Sequence, residues 1–267
     1  MKNILIFGST GMLGAYMKSY LQKNNSFNII TLNRIDYDIY NDDEEKLINI
    51  LNNYKIDVMI NCAGIIKQRN YNIMELIKVN SYFPHLLTNY CEKNNIKFIH
   101  ISTDCVFNGN TGLYNEESIH DCIDEYGKSK SLGENSKATI IRTSIIGYEK
   151  NNKLSLLEWV LKNKNNTIFG FTNHLWNGLT CLELSKYIEQ MILNDIFWNG
   201  VKHIHSNDIN KYDLIKEIND IFDLNITIVA KESYPCYRNL RSIHENKIKI
   251  LSIQEQLKEL KIYDQPC

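Results

Sequence analysis

Tyr126 and Lys130 stand four residues apart in the stretch Glu125–Glu134. On a helix that spacing puts two side chains on one face, a turn apart. A phenol beside an ammonium is a tunable acid. The cation favours the phenolate, so a group that ordinarily titrates near 10 works closer to neutrality. Such a pair protonates a ketone oxygen while hydride reaches the carbonyl carbon. Spacing alone does not single it out: with 16 Tyr, and Lys making up 25 of the 30 basic residues, a 267-residue chain holds about 1.5 such matches by chance. A second match, Tyr212 and Lys216, reads as the exposed face of an ordinary helix. The surrounding elements separate the two.

Asn3–Phe7 reads as a short buried strand running into Gly8-Ser9-Thr10-Gly11-Met12-Leu13-Gly14, with an amphipathic helix to about Lys23. Strand, glycine turn and helix form a dinucleotide site: Gly8 for the tight turn, Gly11 for backbone approach to a pyrophosphate, Gly14 for close helix–strand packing. Free N–H groups at the helix start, around Thr10, Met12 and Leu13, supply the anion site. Phe27–Leu32 is a second strand ending in Asn33-Arg34. A carboxylate there would suit a ribose 2′-OH, whereas Arg34 suits a 2′-phosphate, so NADP(H) is expected, with NAD(H) as the alternative. Asp38-Ile39 lies where an adenine edge would be met.

Glu44–Lys55 is helical by period, with Leu47, Ile50 and Leu51 as its apolar stripe. Asp57–Gly64 is a third strand and its loop, where the small residues Cys62, Ala63 and Gly64 let a cofactor cross the strand ends. A helical stretch from Ile73 to Asn94 follows, interrupted at Pro84, with Asn80 facing either sheet or solvent. Ile96–Ile101 is a fourth strand, and Thr103 just beyond it shares the crevice rim with Tyr126, placed to hydrogen-bond a substrate carbonyl. Ala138–Arg142 makes a fifth strand. Repeated β-α units predict an α/β protein with a Rossmann-type doubly wound parallel sheet.

Composition narrows the field. A net charge of −1 with scattered charges offers no basic stripe for nucleic acid and no polybasic membrane patch. No apolar run reaches bilayer-spanning length, and Met1–Phe7 is too short for a signal-peptide core. Seven widely spaced Cys without C-x-x-C point to reduced thiols in a cytoplasmic setting and against a zinc site.

The glycine loop, Asn61-Cys62-Ala63-Gly64, Ser102-Thr103-Asp104-x-Val106-Phe107-x-Gly109, Tyr126-x-x-x-Lys130 and Arg142-Thr143-Ser144 occur in that order. Together they resemble the extended short-chain dehydrogenase/reductases. Within these the chain is most similar to the dTDP-4-dehydrorhamnose reductase-like group of NDP-4-keto-6-deoxysugar reductases. The resemblance spans the first 150 residues. It implies Tyr126 as proton donor, Lys130 holding the nicotinamide ribose and lowering the Tyr pKa, and Thr103 orienting the ketone.

Residues 1–150 are thus expected to bind NADP(H), and 151–267 mainly the substrate, with some elements returning to the main sheet. In the second half, helices are expected at Leu154–Lys162, Leu182–Leu193, Tyr212–Phe222 and Ser252–Leu260, with Trp159 in the core. Phe171–Thr180 reads as a loop beside the active site, and it resembles the loop of reductases acting on UDP-linked 2-acetamido-4-keto-6-deoxy sugars. Trp176 there is either a stacking surface for sugar or uracil or a buried aromatic. Arg238 and Arg241 either clamp a diphosphate or are solvated. Cys105 stands where dehydratases of the family carry Glu, which disfavours dehydration. Rhamnose-type reductases usually have Tyr there, which weakens that assignment. GDP-fucose synthase has Cys, so Cys105 with His174 raises epimerisation before reduction, against the plainer reading of a space-filling thiol.

The expectation is an NADPH-dependent 4-ketoreductase of a nucleotide sugar in deoxysugar biosynthesis, most simply one of UDP-2-acetamido-2,6-dideoxy-hexos-4-ulose. Alternatives are a dTDP-4-dehydrorhamnose reductase, a bifunctional epimerase/reductase and a non-catalytic dinucleotide sensor. A homodimer is left open.

Overall fold

A computed structural model describes residues 1–151 and 153–263. The first half alternates strand and helix: β1 (Lys2–Phe7), α1 (Met12–Leu21), β2 (Phe27–Leu32), α2 (Glu44–Asn52), β3 (Val58–Asn61), α3 (Ile73–Ile77), α4 (Phe83–Lys93), β4 (Lys97–Thr103), α5 (Glu125–Leu132) and β5 (Thr139–Thr143). Shorter pieces follow: β6 (Ile145–Ile146), α6 (Leu156–Lys162), β7 (Thr167–Phe171), β8 (His174–Trp176), β9 (Leu179–Thr180) and α7 (Cys181–Leu193). The chain closes with β10 (Gly200–His203), β11 (Ile209–Asn210), α8 (Lys211–Phe222), β12 (Thr227–Lys231), β13 (Cys236–Tyr237) and α9 (Ile253–Ile262).

The main sheet has six strands in the order β10-β5-β4-β3-β1-β2, every neighbouring pair parallel. Strand order reverses between β1 and β3, so their carboxyl ends open a crevice there. Successive residues of β1 serve opposite faces. Ile4 and Ile6 pack with Tyr16, Ile188 and Leu257, while Leu5 and Phe7 pack with Leu47, Leu51, Phe83 and Leu87. One face is therefore roofed by α1, α7 and α9, and the C-terminal half is built into the same core. Its β10 also forms a sheet edge.

Three details depart from expectation. The long helix does not break at Pro84. Its irregularity is a π-helical turn at Lys78–Tyr82, and Pro84, the second residue of α4, directly follows that change of winding. Trp159 is 42% exposed, because Leu157 and Val160 take the inward face of α6. Phe171–Thr180 is partly strand: β8 pairs with β11 and β13, and β9 with β6. Among the described residues no helix is long and apolar enough to cross a membrane.

Candidate active site

A cavity of about 730 Å³ lies along the carboxyl ends of β1, β3, β4 and β5. Asp124 starts α5 by accepting the Gly127 N–H at 2.9 Å. A Cβ on Gly127 would come within 2.3 Å of the Cys105 carbonyl, so only glycine lets α5 lie this close to the turn after β4. This approach brings Thr103, Tyr126 and Lys130 to one cavity. The other end is lined by Thr10, Gly11, Met12, Leu13, Arg34, Cys62, Ala63 and Gly64. Gly8 and Gly14 shape the loop from beneath. Gly8 has φ +74°, and a Cβ there would meet the Ala63 nitrogen at 2.5 Å. A Cβ on Gly14 would lie 2.1 Å from the Gly8 carbonyl, so Gly14 packs on the loop's own turn rather than on the strand.

The electrostatics place the perturbation on the other member of the pair. Burial pushes the Tyr126 phenol well up; Cys105 and Asp104 add to this, and the Thr103 hydroxyl opposes it. Lys130 is 5% exposed, and burial pulls its ammonium down to about 8 against the pull of Glu134 and Cys62. Its Nζ donates to the Ile101 carbonyl at 2.7 Å. Thr103 Oγ1 accepts the Cys105 N–H at 3.1 Å and donates to Asp104 Oδ1 at 3.2 Å.

Several residues singled out from sequence lie elsewhere. Asn33 Oδ1 closes a turn by accepting from Ile35 at 2.7 Å, Asp38 takes Arg34 Nε at 2.9 Å, and Ile39 packs on the core. None of the three lines the cavity. Cys105 and Trp176 do, and Trp176 is buried. His174 does not: its Nε2 faces the Tyr234 carbonyl at 3.0 Å and its ring leans on Phe171. Burial also pushes the Cys105 thiol up to about 12, so it is not a thiolate near neutrality. Arg238 and Arg241 do not form a clamp. Residues three apart in an extended segment face opposite sides. Arg238 lies by Cys105 Sγ at 3.5 Å, while Arg241 is held by Asp208 at 2.6 and 2.9 Å.

Sequence reasoning missed three neighbours. Asp104, buried and raised by that burial against Arg238 and Lys211, stood within the quoted motif. Lys67, on the loop after β3, pairs with Asp124 at 2.6 Å and lies 5.9 Å from the Tyr126 ring. Lys211, the first residue of α8, places Nζ 4.7 Å from the Trp176 ring; no local pattern marks it.

Behind the site Arg142 is 1% exposed and binds Glu134 at 2.5 and 3.0 Å. It also donates to His120 Nε2 and His203 Nε2, each at 2.7 Å. A guanidinium only donates, so His203 Nε2 accepts and its proton sits on Nδ1, toward the Arg241 carbonyl at 2.8 Å. Burial, then Arg142, pulls His203 down to about 4. The unfolded chain takes up this proton near 6.5 and the folded one only near 4, so stability falls as pH drops through that window. Urea midpoints at about pH 7.5 and about pH 5 should show the loss, and His203→Gln should reduce the difference.

Against known proteins, the family described as "RmlD substrate binding domain" matches residues 1–236. A dTDP-4-dehydrorhamnose reductase of Aggregatibacter actinomycetemcomitans is 28% identical over 218 residues, 76% of this chain and 73% of that one. Among solved structures, a dTDP-4-dehydrorhamnose reductase from Clostridium acetobutylicum superposes with TM-score 0.82 at 22% identity, covering 97% of this chain and 98% of that one. One from Bacillus anthracis in complex with NADP gives 0.81 at 19%, covering 98% and 99%. These likenesses to solved structures carry the fold, and the family match runs through the glycine loop, Thr103, Tyr126 and Lys130 and on to Cys236. The chain belongs to the RmlD substrate-binding-domain family.

Proposed function

We propose that the protein uses NADPH to reduce the C4 ketone of a nucleotide-linked 4-keto-6-deoxyhexose, with UDP-2-acetamido-2,6-dideoxy-hexos-4-ulose as substrate. The observation that carries the reading is the meeting of Thr103, Tyr126 and Lys130 in one cavity with the glycine loop. The names of the relatives support the reaction class. The loop that Gly8 and Gly14 shape from beneath, with Gly11 on the cavity wall, fits a pyrophosphate, and Arg34 on the same wall fits a 2′-phosphate. The free thiols of the six described cysteines support a reducing, cytoplasmic setting.

When bound, the nicotinamide supplies the hydride. Tyr126, kept protonated by burial, gives its proton to the ketone oxygen. Thr103 turns its O–H from Asp104 to that oxygen and fixes the carbonyl. Lys130, drawn down toward neutrality, holds the ribose and restores the tyrosine proton. Trp176 and Lys211 also line the cavity, which supports a sugar and its anionic nucleotide as occupants. Cys105 fills space as a neutral thiol, and its separation from His174 leaves epimerisation without a paired acid and base.

NADPH oxidation across UDP-, dTDP- and GDP-linked 4-keto-6-deoxy sugars tests the reading. The fastest turnover is expected on the UDP-2-acetamido compound; preference for a dTDP sugar overturns the substrate, and no turnover on any overturns the reaction. Arg34→Ala should raise KM for NADPH about tenfold or more and leave that for NADH nearly unchanged, since a hydrogen bond to a charged group contributes about 1.5–3 kcal/mol.

A further inference from the structure

Lys130 Nζ has a second polar neighbour besides the Ile101 carbonyl: His100 Nε2, 3.4 Å away. The surroundings of His100 fix where its proton sits. Asn61 Oδ1 accepts the Ala63 backbone N–H at 3.0 Å, which turns Asn61 Nδ2 toward His100 Nδ1 at 3.2 Å. An amide nitrogen only donates, so Nδ1 accepts and a neutral ring carries its proton on Nε2. His100 is 1% exposed, and burial, then Lys130 and His85, holds it well below its ordinary value, so it is neutral. Lys130 therefore meets an N–H and not a lone pair. As an ammonium it faces another donor; as an amine it accepts a hydrogen bond from the His100 Nε2–H.

The remaining groups around the pair pull the other way. Glu134, just past the end of α5, and Cys62 after β3 both favour the ammonium. His100 in turn faces Lys130 from α5, Asn61 from β3 and His85 from α4, with the Phe98 ring at 6.4 Å.

We propose that Asn61 and His100 are a positioning pair that steadies the amine form of Lys130, letting it return a proton to Tyr126 after each turnover. This rests on the reductase reading above. The balance is simple: hydride and the Tyr126 proton convert ketone to alcohol, the phenolate regains a proton from the Lys130 ammonium, and solvent reprotonates the amine. Neither Asn61 nor His100 lines the cavity, so neither touches substrate.

Nitrogen NMR of histidine-labelled wild-type protein, with His100 assigned by its substitution, tests the geometry without any turnover. The expected result is a neutral Nε2–H ring from about pH 6 to about pH 9. An Nδ1–H ring or an imidazolium overturns the proposal. The pH dependence of kcat/KM tests the consequence. His100→Phe should move the alkaline limb up by about one unit, a tenfold change in proton affinity. His100→Gln, whose amide keeps a donor near the Nε2 position, should keep the limb where wild type has it. A limb unmoved in His100→Phe overturns the proposal, and the wild-type spectrum decides where that variant does not fold. Should no keto sugar be reduced, the reductase reading fails at the panel, while the spectrum still decides the arrangement of Asn61, His100 and Lys130.

Discussion

Phenylalanine in place of Tyr126 should lower turnover by about 10²- to 10⁴-fold, the range that general acid catalysis supplies. The substitution removes one oxygen and keeps the ring beneath Lys67. The glycine loop, Arg34 and Lys130 are untouched, so NADPH affinity, read by fluorescence quenching, should hold within about twofold. That split separates enzyme from sensor. Both bind the dinucleotide, but only the enzyme depends on the phenolic proton. Turnover that survives in the variant would show that Tyr126 is not the acid. Thr103→Val should cost less, because Tyr126 still reaches the ketone; its signature is a raised KM together with a lowered kcat.

The largest stability loss is expected for Arg142→Met, about 3–5 kcal/mol by urea unfolding. Arg142 and Glu134 side chains are 1% and 6% exposed, and removing one leaves the other charge buried without its partner. Glu134 would keep Ser102 Oγ, at 2.5 Å, and the His120 ring at 3.7 Å in place of a full cationic partner, and His120 and His203 would lose their donor. The guanidinium also lies 5.2 Å from the Phe107 ring, so packing is lost with charge. Adding Glu134→Leu should recover part of the loss, since neutralising both members avoids the orphaned carboxylate. Lys137→Met is the control. Its partner Glu92 is half exposed, and breaking that pair should cost about 0–1 kcal/mol.

Backbone features were the most legible. β2 falls at Phe27–Leu32 as its apolar run predicts, and the glycines mark where chain meets chain. The Tyr126/Lys130 pair was separable from Tyr212/Lys216 only through its neighbours along the chain. What sequence could not show is where long side chains spend their hydrogen bonds. Arg238 and Arg241 look alike in a string, yet Asp208, some thirty residues earlier, captures one and leaves the other by Cys105. Lys211 reaches the cavity only because β11 and α8 fold back beside β8. Burial reversed one inference outright. Lys130 was expected to lower Tyr126, but in a dry cavity the low dielectric acts on both groups, and it is the lysine that moves toward neutral pH.

The π-helical turn before Pro84 has a bearing on engineering. It brings two consecutive residues onto α5: Asn80 Nδ2 donates to Ser129 Oγ at 3.1 Å and Ser81 Oγ to the Ser129 carbonyl at 2.7 Å. Asn80 also grips both backbone groups of Ile65, each at 2.9 Å, on the loop that follows Gly64. Deleting Val79 would restore ordinary winding and swing this double anchor out of phase with the preceding helix by roughly 100°. The proposed nucleotide binding and proton delivery should then fall together, although no residue proposed for either had been altered.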